Sequence, residues 1–365
     1  MSMKERVSII TVTYNVADTI EQTINSVINQ SYDDIEYIVV DGMSTDGTWE
    51  KICKYKEKIN ILLHEKDKGL YDAMNKGIAR ATGDIIGIVN GDDWYERDAI
   101  ENVVKNMQDN GDILYARMNI IDSDGNIQMI SKPDKIENIW YRMIPHPTVF
   151  VRKKVYDTYG AFKLDYPIVA DYEMIFRFYL AGVKFKYIDQ VITNFRRGGL
   201  TTKKSIACAR EVREISMMYL EKCPEKERCL QNINNNYNRA MISAACEQNN
   251  EHFKGMLDLL FHGKTDNILI FGAGVWGRKC AEKLRQCNIV CQYFIDNSPK
   301  KQAAEIDGIK VIAPERLGDM ECNIIIALAD GYDEISEQLN NIHNPRLQWI
   351  RLFDLYDENQ GDKDS

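Results

Sequence analysis

Residues 64–95 read HEKDKGLYDAMNKGIARATGDIIGIVNGDDWY. Within them an apolar run, Ile85 to Val89, has the length of a buried strand and delivers two adjacent carboxylates, Asp92 and Asp93, at its C-terminal end. Ligands of open α/β sheets bind at that edge. Hard divalent cations prefer oxygen ligands, and Mg²⁺ is commonly held by one or two carboxylates plus substrate phosphates, so the pair suits a metal-bound diphosphate. A plainer reading makes Asp93 the cap of a helix expected over Trp94 to Met107.

Working outward, Val7 to Thr13 (VSIITVT) is β-rich and apolar, and Asp18-Thr-Ile-Glu21 reads as a capping box opening a helix with Ile20, Ile24, Val27 and Ile28 on one face. A second buried-type run, Ile35 to Val40, ends on Asp41, and Ile59 to Leu63 makes a third strand. Strands alternating with helices predict a mostly parallel α/β sheet with helices on its faces. Every strand exit carries a polar residue.

The segments VSIITVTYN, YIVVDGMSTDGT, EKDKGLYDAMNKG and ATGDIIGIVNGDDWY resemble, in order and spacing, the family 2 glycosyltransferases, a group of inverting enzymes with the GT-A fold. The resemblance covers roughly residues 5–200 and implies transfer of a sugar from a nucleotide-diphosphate donor, with UDP favoured, to a glycan or lipid-linked acceptor in bacterial surface polysaccharide synthesis. It also implies Mn²⁺ or Mg²⁺ as cofactor.

Residue by residue, the resemblance implies that Thr11, Val12 and Tyr14 cradle the nucleobase and that Asp41 accepts a hydrogen bond from it. It places Asp67, Asp72 and Asn75 near the donor, and gives Asp92 and Asp93 to the metal and ribose. The first position of the family's acidic motif is often Asp; here it is Asn90. The matching catalytic base is Asp171 at a helix start, with Glu173 as the fallback; the family often has two acids in succession there, whereas Ala170 precedes Asp171. His146, in Pro145-His-Pro-Thr148, matches a stretch close to donor or acceptor. Arg196 or Arg197, in the glycine-containing loop Phe195 to Lys204, is expected to meet the diphosphate when the loop closes, the plainer reading being a solvated surface turn. Ordinary readings compete throughout: Tyr14 as a core aromatic, Asp41 as an Asx turn before Gly42, Asp72 as a helix-dipole partner, Asp171 as a cap.

Ser205 to His262 is charged and helical in character and carries no catalytic motif, so it reads as a connector. Beyond it, a strand over Asn267 to Phe271 leads into Gly272-Ala-Gly274-Val-Trp-Gly277, a helix follows, and a strand from Val290 to Ile295 ends on Asp296. Glycines that admit a pyrophosphate at a helix N-terminus, and an acid that reaches a ribose, form a dinucleotide fingerprint. The tail, FIDNSPKKQ to IDGIKVIAPERL and NIIIALADGYDEI, is similar to the small Rossmann-like domain found beside bacterial sugar-modifying enzymes. The expected organisation is a GT-A domain over 1–205, a helical connector over 206–263 and a Rossmann-like domain over 264–365. A binding or regulatory module, an NAD-dependent sugar oxidoreductase and a purely structural domain are the three readings of the tail.

With 365 residues, 44% apolar and 28% charged, the chain suits two globular domains. Its formal charge of −9 argues against nonspecific nucleic-acid binding, and five histidines without Cys-x-x-Cys argue against a zinc site. Nine scattered cysteines suit a reducing cytosol. No signal peptide or spanning helix is expected, giving a cytoplasmic location. The resemblance adds peripheral contact with the inner membrane face, which the basic clusters Arg152 to Lys154 and Arg196 to Lys204 are too small to establish.

Overall fold

The computed structural model describes residues 4–108, 111–199 and 204–356. Contacts divide the chain into two units, Met1–Lys204 with Glu214–Cys223, and Ser205–Arg213 with Pro224–Ser365. The helical stretch 206–263 is shared between them.

In the first unit, β1 (Val7–Thr13), β2 (Ile35–Asp41), β3 (Ile61–His64) and β4 (Ile85–Asn90) are parallel and ordered β3-β2-β1-β4. The sheet continues through β8 (Phe150–Arg152), antiparallel to β4, then β6 (Ile113–Ile121), antiparallel to β8, β9 (Phe185–Arg196), parallel to β6, and β5 (Trp94–Tyr95), antiparallel to β9, with β7 (Ile127–Ser131) antiparallel on β6. Central β1 is buried along its whole length, which is why it reads as an unbroken apolar run. Helices α1 (Ile20–Ile28), α2 (Thr48–Cys53), α3 (Leu70–Arg80), α4 (Ala99–Met107), α5 (Lys153–Tyr159) and α6 (Ala170–Leu180) complete the unit. Ile20, Ile24 and Val27 of α1 and Ile100, Val103 and Met107 of α4 pack with Val7, Ile9 and Val39 of the sheet. On α3, Tyr71, Met74 and Ile78 share the buried face as their spacing predicts, and Gly77 lets the helix settle on β1: a Cβ there would lie 2.4 Å from Ile10 Cγ2.

Two local expectations fail. Helix α1 starts at Ile20 after Thr19, with no side-chain cap bond, so the capping box at Asp18 to Glu21 does not form. Trp94 and Tyr95 are strand rather than helix, because they pair with Asn194 and Thr193 of β9; the helix begins only at Ala99. Pairing with a distant strand overrides the local helical pattern.

In the second unit, α7 (Ser205–Tyr219, partly in the first), α8 (Lys226–Glu247) and α9 (Asn250–Leu260) precede a six-stranded sheet. Its strands are β10 (Ile268–Phe271), β11 (Cys291–Ile295), β12 (Glu305–Ile306), β13 (Ile309–Ile312), β14 (Cys322–Ile326) and β15 (Leu347–Arg351), ordered β12-β13-β11-β10-β14-β15, and all pairings except β12 with β13 are parallel. Helices α10 (Val275–Gln286) and α11 (Tyr332–Asn340) lie in this unit, whose apolar core forms two clusters. Among the described residues no helix is long and apolar enough to cross a membrane.

Candidate active site

The C-terminal ends of β1, β2 and β3 finish level, Thr13 pairing with Asp41 and Asp41 with His64. Two loops leave this edge and are laced together by side chains of the second onto backbone of the first. The amides of Asn15, Val16 and Ala17 donate to Ser44 Oγ (2.9 Å), Thr48 Oγ1 (2.8 Å) and Asp46 Oδ2 (3.0 Å). Asp41 accepts the Ser44 N–H, three residues on, at 3.0 Å. Asp67 lies against Gly42, where a Cβ would meet its Oδ2 at 2.4 Å, and it accepts the Gly69 N–H at 2.8 Å.

Beside this edge, β4 ends in the turn Asn90-Gly-Asp92-Asp93. Gly91 is required by packing, since a Cβ would lie 2.8 Å from Val16 Cγ2 and 2.9 Å from Thr13 Cγ2. Helix α1 clamps the turn: Thr23 Oγ1 donates to the carbonyls of Gly91 (3.0 Å) and Asp93 (2.7 Å). Asp93 is fully buried and faces inward, accepting the Arg196 N–H at 2.9 Å and Asn90 Nδ2 at 3.2 Å. Asp92 is half-buried and takes no hydrogen bond at its carboxylate from another side chain among the described residues. Burial lifts both carboxyls above their ordinary range, Asp93 well above it because it is fully enclosed and the Asp92 charge adds to that, while Arg196 pulls both down. Arg196 reaches across with Nε to the Asp92 carbonyl (3.2 Å) and Nη2 to Gln22 (2.9 Å), its guanidinium 5.1 Å over the Trp94 ring.

The third component is α6. Asp171 sits in its first turn, half-buried, 2.9 Å from the Tyr71 hydroxyl, whose single hydrogen is shared between the Asp171 carboxylate and the Ile168 carbonyl at 2.8 Å. Val169 occupies the cap position, so Asp171 is no helix cap. His146 is buried, its ring 5.5 Å from Phe162, which in turn lies 5.2 Å from Tyr71. Burial lowers the His146 pKa, and the Asp171 charge opposes that shift.

Several expected site residues are redirected. Thr11 and Val12 are interior: Thr11 Oγ1 pairs with Tyr37 Oη at 3.0 Å, and both residues lie within the paired strand, whereas Tyr14 stands 64% exposed at its end. Asn75 has both ends of its amide on the Phe162 backbone (2.9 and 3.0 Å), which ties α3 to the segment before α6. Asp72 folds back to accept the Lys68 N–H at 3.0 Å. Asp93 does not cap a helix. Glu173 is fully buried; burial raises its pKa, but hydrogen bonds from Arg177 and Lys163 outweigh that, and its carboxylate is engaged by these two side chains and by the Tyr219 hydroxyl. Within the loop Phe195 to Lys204, residues 200–203 lie outside the described residues. His64, Tyr71, Gln22 and Thr23 were not singled out by sequence; only the spacing of Tyr71 on the buried face of α3 hinted at a role.

A cation site can be tested on the donor set. Half-buried Asp92, its carboxyl raised, and the buried Asn90 Oδ1, which has no hydrogen-bond partner, leave oxygen lone pairs unmatched at the strand end. That suits a cation held by one carboxylate and diphosphate oxygens. Asp93, enclosed and bonded, is unsuited to be a ligand, and the described residues hold no cluster of three or more His, Cys, Asp or Glu able to bind a metal.

In the second unit the glycine turn is real. Gly272 has φ +103°, and a Cβ on Gly277 would lie 1.8 Å from the Gly272 carbonyl oxygen, while Gly274 faces open space. Asp296, however, accepts the amides of Ala273 and Ser298 and the Lys301 ammonium, each at 2.9 Å. Burial raises its pKa, and Lys301 with the two amides more than reverses this. The acid expected on a ribose therefore fastens the glycine turn, which does not suit an NAD site.

Residues 8–170 match the family described as glycosyl transferase family 2, and residues 264–347 that described as C2185-like, N-terminal. A PGL/p-HBAD biosynthesis glycosyltransferase of Mycobacterium tuberculosis is 29% identical over 202 residues, 53% of this chain and 78% of its own length. The UDP-Glc:alpha-D-GlcNAc-diphosphoundecaprenol beta-1,3-glucosyltransferase WfaP of Escherichia coli is 29% identical over 196 residues, 53% of this chain and 77% of its own. S. aureus TarS 1-349 in complex with UDP shares the fold, with a TM-score of 0.53 at 19% identity over 70% of this chain and 79% of that one.

Proposed function

We propose that this chain, whose residues 8–170 match the family described as glycosyl transferase family 2, carries out inverting transfer from a UDP-sugar to a hydroxyl of a glycan or lipid-linked acceptor in surface polysaccharide synthesis. The observation that carries the reading is the Asn90 to Asp93 turn, locked by α1 and Arg196 at the sheet edge with Asp92 left open. Support for a nucleotide-sugar donor comes from the relatives, WfaP being a glucosyltransferase named for UDP-Glc and a diphosphoundecaprenol acceptor.

Asp171, positioned by Tyr71, takes the proton of the acceptor hydroxyl. The oxygen then attacks the anomeric carbon opposite the nucleoside diphosphate, through an oxocarbenium-like transition state, and inversion follows from the single displacement. Arg196 is the candidate to pair with the diphosphate, and His146, whose ring packs on Phe162, is the candidate to contact donor or acceptor near Asp171. A divalent cation, Mn²⁺ or Mg²⁺, when bound by Asp92, neutralises charge on the leaving diphosphate. Asp93 holds the turn and the start of the Arg196 loop rather than the metal. The enzyme works in the cytoplasm, in peripheral contact with the inner membrane face where the acceptor is lipid-linked. For residues 264–365, a noncatalytic binding module fits better than an NAD-dependent oxidoreductase, because the Asp296 carboxylate is already occupied.

Release of nucleoside diphosphate from UDP-sugars, with and without acceptor, tests the reading. Asp92→Asn is expected to lose turnover and its response to added Mn²⁺, and Asp171→Asn to keep donor affinity while losing transfer. Turnover unchanged in both variants would refute the assignment.

A further inference from the structure

Asp41 carries the resemblance to a base-binding acid, yet its carboxylate is saturated by the protein. It is wholly buried; Oδ1 accepts the hydroxyls of Thr13 (2.8 Å) and Ser44 (2.5 Å), and Oδ2 accepts the Ser44 N–H (3.0 Å) and lies 2.7 Å from His64 Nδ1. Two carboxylate oxygens offer about four acceptor positions, and all are filled. His64 is different. Its side chain is 27% exposed, its ring stacks on Trp49 at 4.0 Å and 20°, and its Nε2 has no protein partner among the described residues. An ionised carboxylate only accepts, so in the neutral imidazole Nδ1 carries the hydrogen and Nε2 is left as an outward acceptor.

Around it the strand ends expose apolar surface. Tyr14 is 64% exposed and Met43 47% exposed, at the exits of β1 and β2. Met43 adopts φ +65°, which is uncommon for a non-glycine residue, while Asn15, tied to Ser44 and Thr45 of the Met43 loop, adopts φ +51°, a region asparagine visits readily. Flat apolar surface beside a fixed acceptor suits a heteroaromatic ring with an N–H on its edge.

We infer that His64 reads the nucleobase by accepting a ring N–H at Nε2, with Asp41 as the positioning residue that fixes its tautomer. The inference rests on the nucleotide-sugar reading above and deepens it. Uracil (N3–H) and guanine (N1–H) present the required donor; cytosine and adenine present a lone pair at the equivalent edge. Opposing two acceptors leaves both unpaired, and sites built around one hydrogen bond reject such analogues strongly, so discrimination of roughly tenfold to a hundredfold is expected from this contact.

The test is titration calorimetry of the full chain with UDP, GDP, CDP and ADP in the presence of Mg²⁺, for the native protein and two variants. In His64→Asn the amide nitrogen falls near the position of Nδ1, which keeps the bond to Asp41 and deletes Nε2. In His64→Gln the amide oxygen reaches the position of Nε2. The native chain should bind UDP or GDP at least tenfold more tightly than CDP and ADP, the arms separating uracil from guanine. His64→Asn should bring the four within about threefold of one another at an unchanged melting temperature, and His64→Gln should retain a preference. A native preference for CDP or ADP overturns the inference, as does a His64→Asn variant that still discriminates while His64→Gln does not. A native chain that binds none of the four overturns the transferase reading itself, which is a separate result.

Discussion

Asp93 is a carboxyl that the unliganded fold holds at a cost, and replacing it should make the protein more stable. Its side chain is fully buried, burial and the neighbouring Asp92 push its pKa well up, and its bonds are one backbone N–H and one long contact from Asn90. In Asp93→Asn an amide oxygen can keep the Arg196 N–H, and a half-turn of the Asn90 amide offers the unpartnered Asn90 Oδ1 to the new NH₂. Relief of a buried, poorly matched charge is worth about 2 kcal/mol, which for a unit of this size raises the melting temperature by roughly 4–8 °C.

The sign with pH is fixed by the direction of the shift. An acid whose folded pKa lies above its unfolded value, near 3.9, contributes fully to stability while protonated in both states, and that contribution is lost as pH rises through the folded pKa. The gain from Asp93→Asn should therefore be small near pH 4 and grow towards pH 8. Differential scanning fluorimetry across that range, without donor or cation, measures it. A variant that melts several degrees below the native chain at pH 8, or a difference that does not change with pH, would refute the reasoning. Turnover should fall less than in Asp92→Asn, because the open carboxylate remains.

Tyr71→Phe removes a hydrogen bond to Asp171; kcat should drop about tenfold with the donor KM unchanged, and a KM effect alone would reassign Tyr71 to donor binding. Glu36 accepts Ser8 Oγ, Thr82 N and Thr82 Oγ1; burial raises its pKa but these bonds more than reverse that. Glu36→Gln should cost about 2 kcal/mol at pH 7, measured by urea titration, and the deficit should shrink as pH falls below the unfolded value near 4.3. Gly277→Ala forces a Cβ into the Gly272 carbonyl and should destabilise the second unit by about 3 kcal/mol, seen as a lower calorimetric transition. An unshifted transition would mean the glycine turn yields freely.

The parallel strands of the first unit were legible because burial on both faces leaves apolar runs that end abruptly in polar residues. Asp41 and the Asn90 to Asp93 turn were found the same way. What stayed hidden depends on contacts between segments far apart in the chain. Tyr71 meets Asp171 and Asn75 meets Phe162 only after α3 has packed beside α6, and no local pattern carries that. Trp94 and Tyr95 continue a convincing helical period, and only β9 turns them into strand. Thr11 and Thr13 share one face of β1; Thr13 reaches Asp41 at the edge, while Thr11, two residues deeper, meets Tyr37 in the interior.

The adjacent acids show where pattern and chemistry meet. Asp92 and Asp93 lie in the turn that follows β4, closed by the Asp93 N–H on the Asn90 carbonyl at 3.1 Å, and their carboxylates differ in burial, Asp93 enclosed and Asp92 half-buried. Position 93 has the inward environment: the Arg196 amide and Asn90 reach its carboxylate, while Thr23 holds the carbonyls of Gly91 and Asp93. Asp92 is then the carboxylate left for a ligand, and Asn90 follows from the same geometry. An acid at position 90 would set a second buried negative charge against Asp93, whereas the amide donates to it at 3.2 Å. An Asn90→Asp variant should thus push the Asp93 carboxyl higher still and melt below the native chain, with a melting temperature that recovers on adding Mn²⁺. If Mn²⁺ restores nothing, the unmatched oxygens at this strand end do not face a cation.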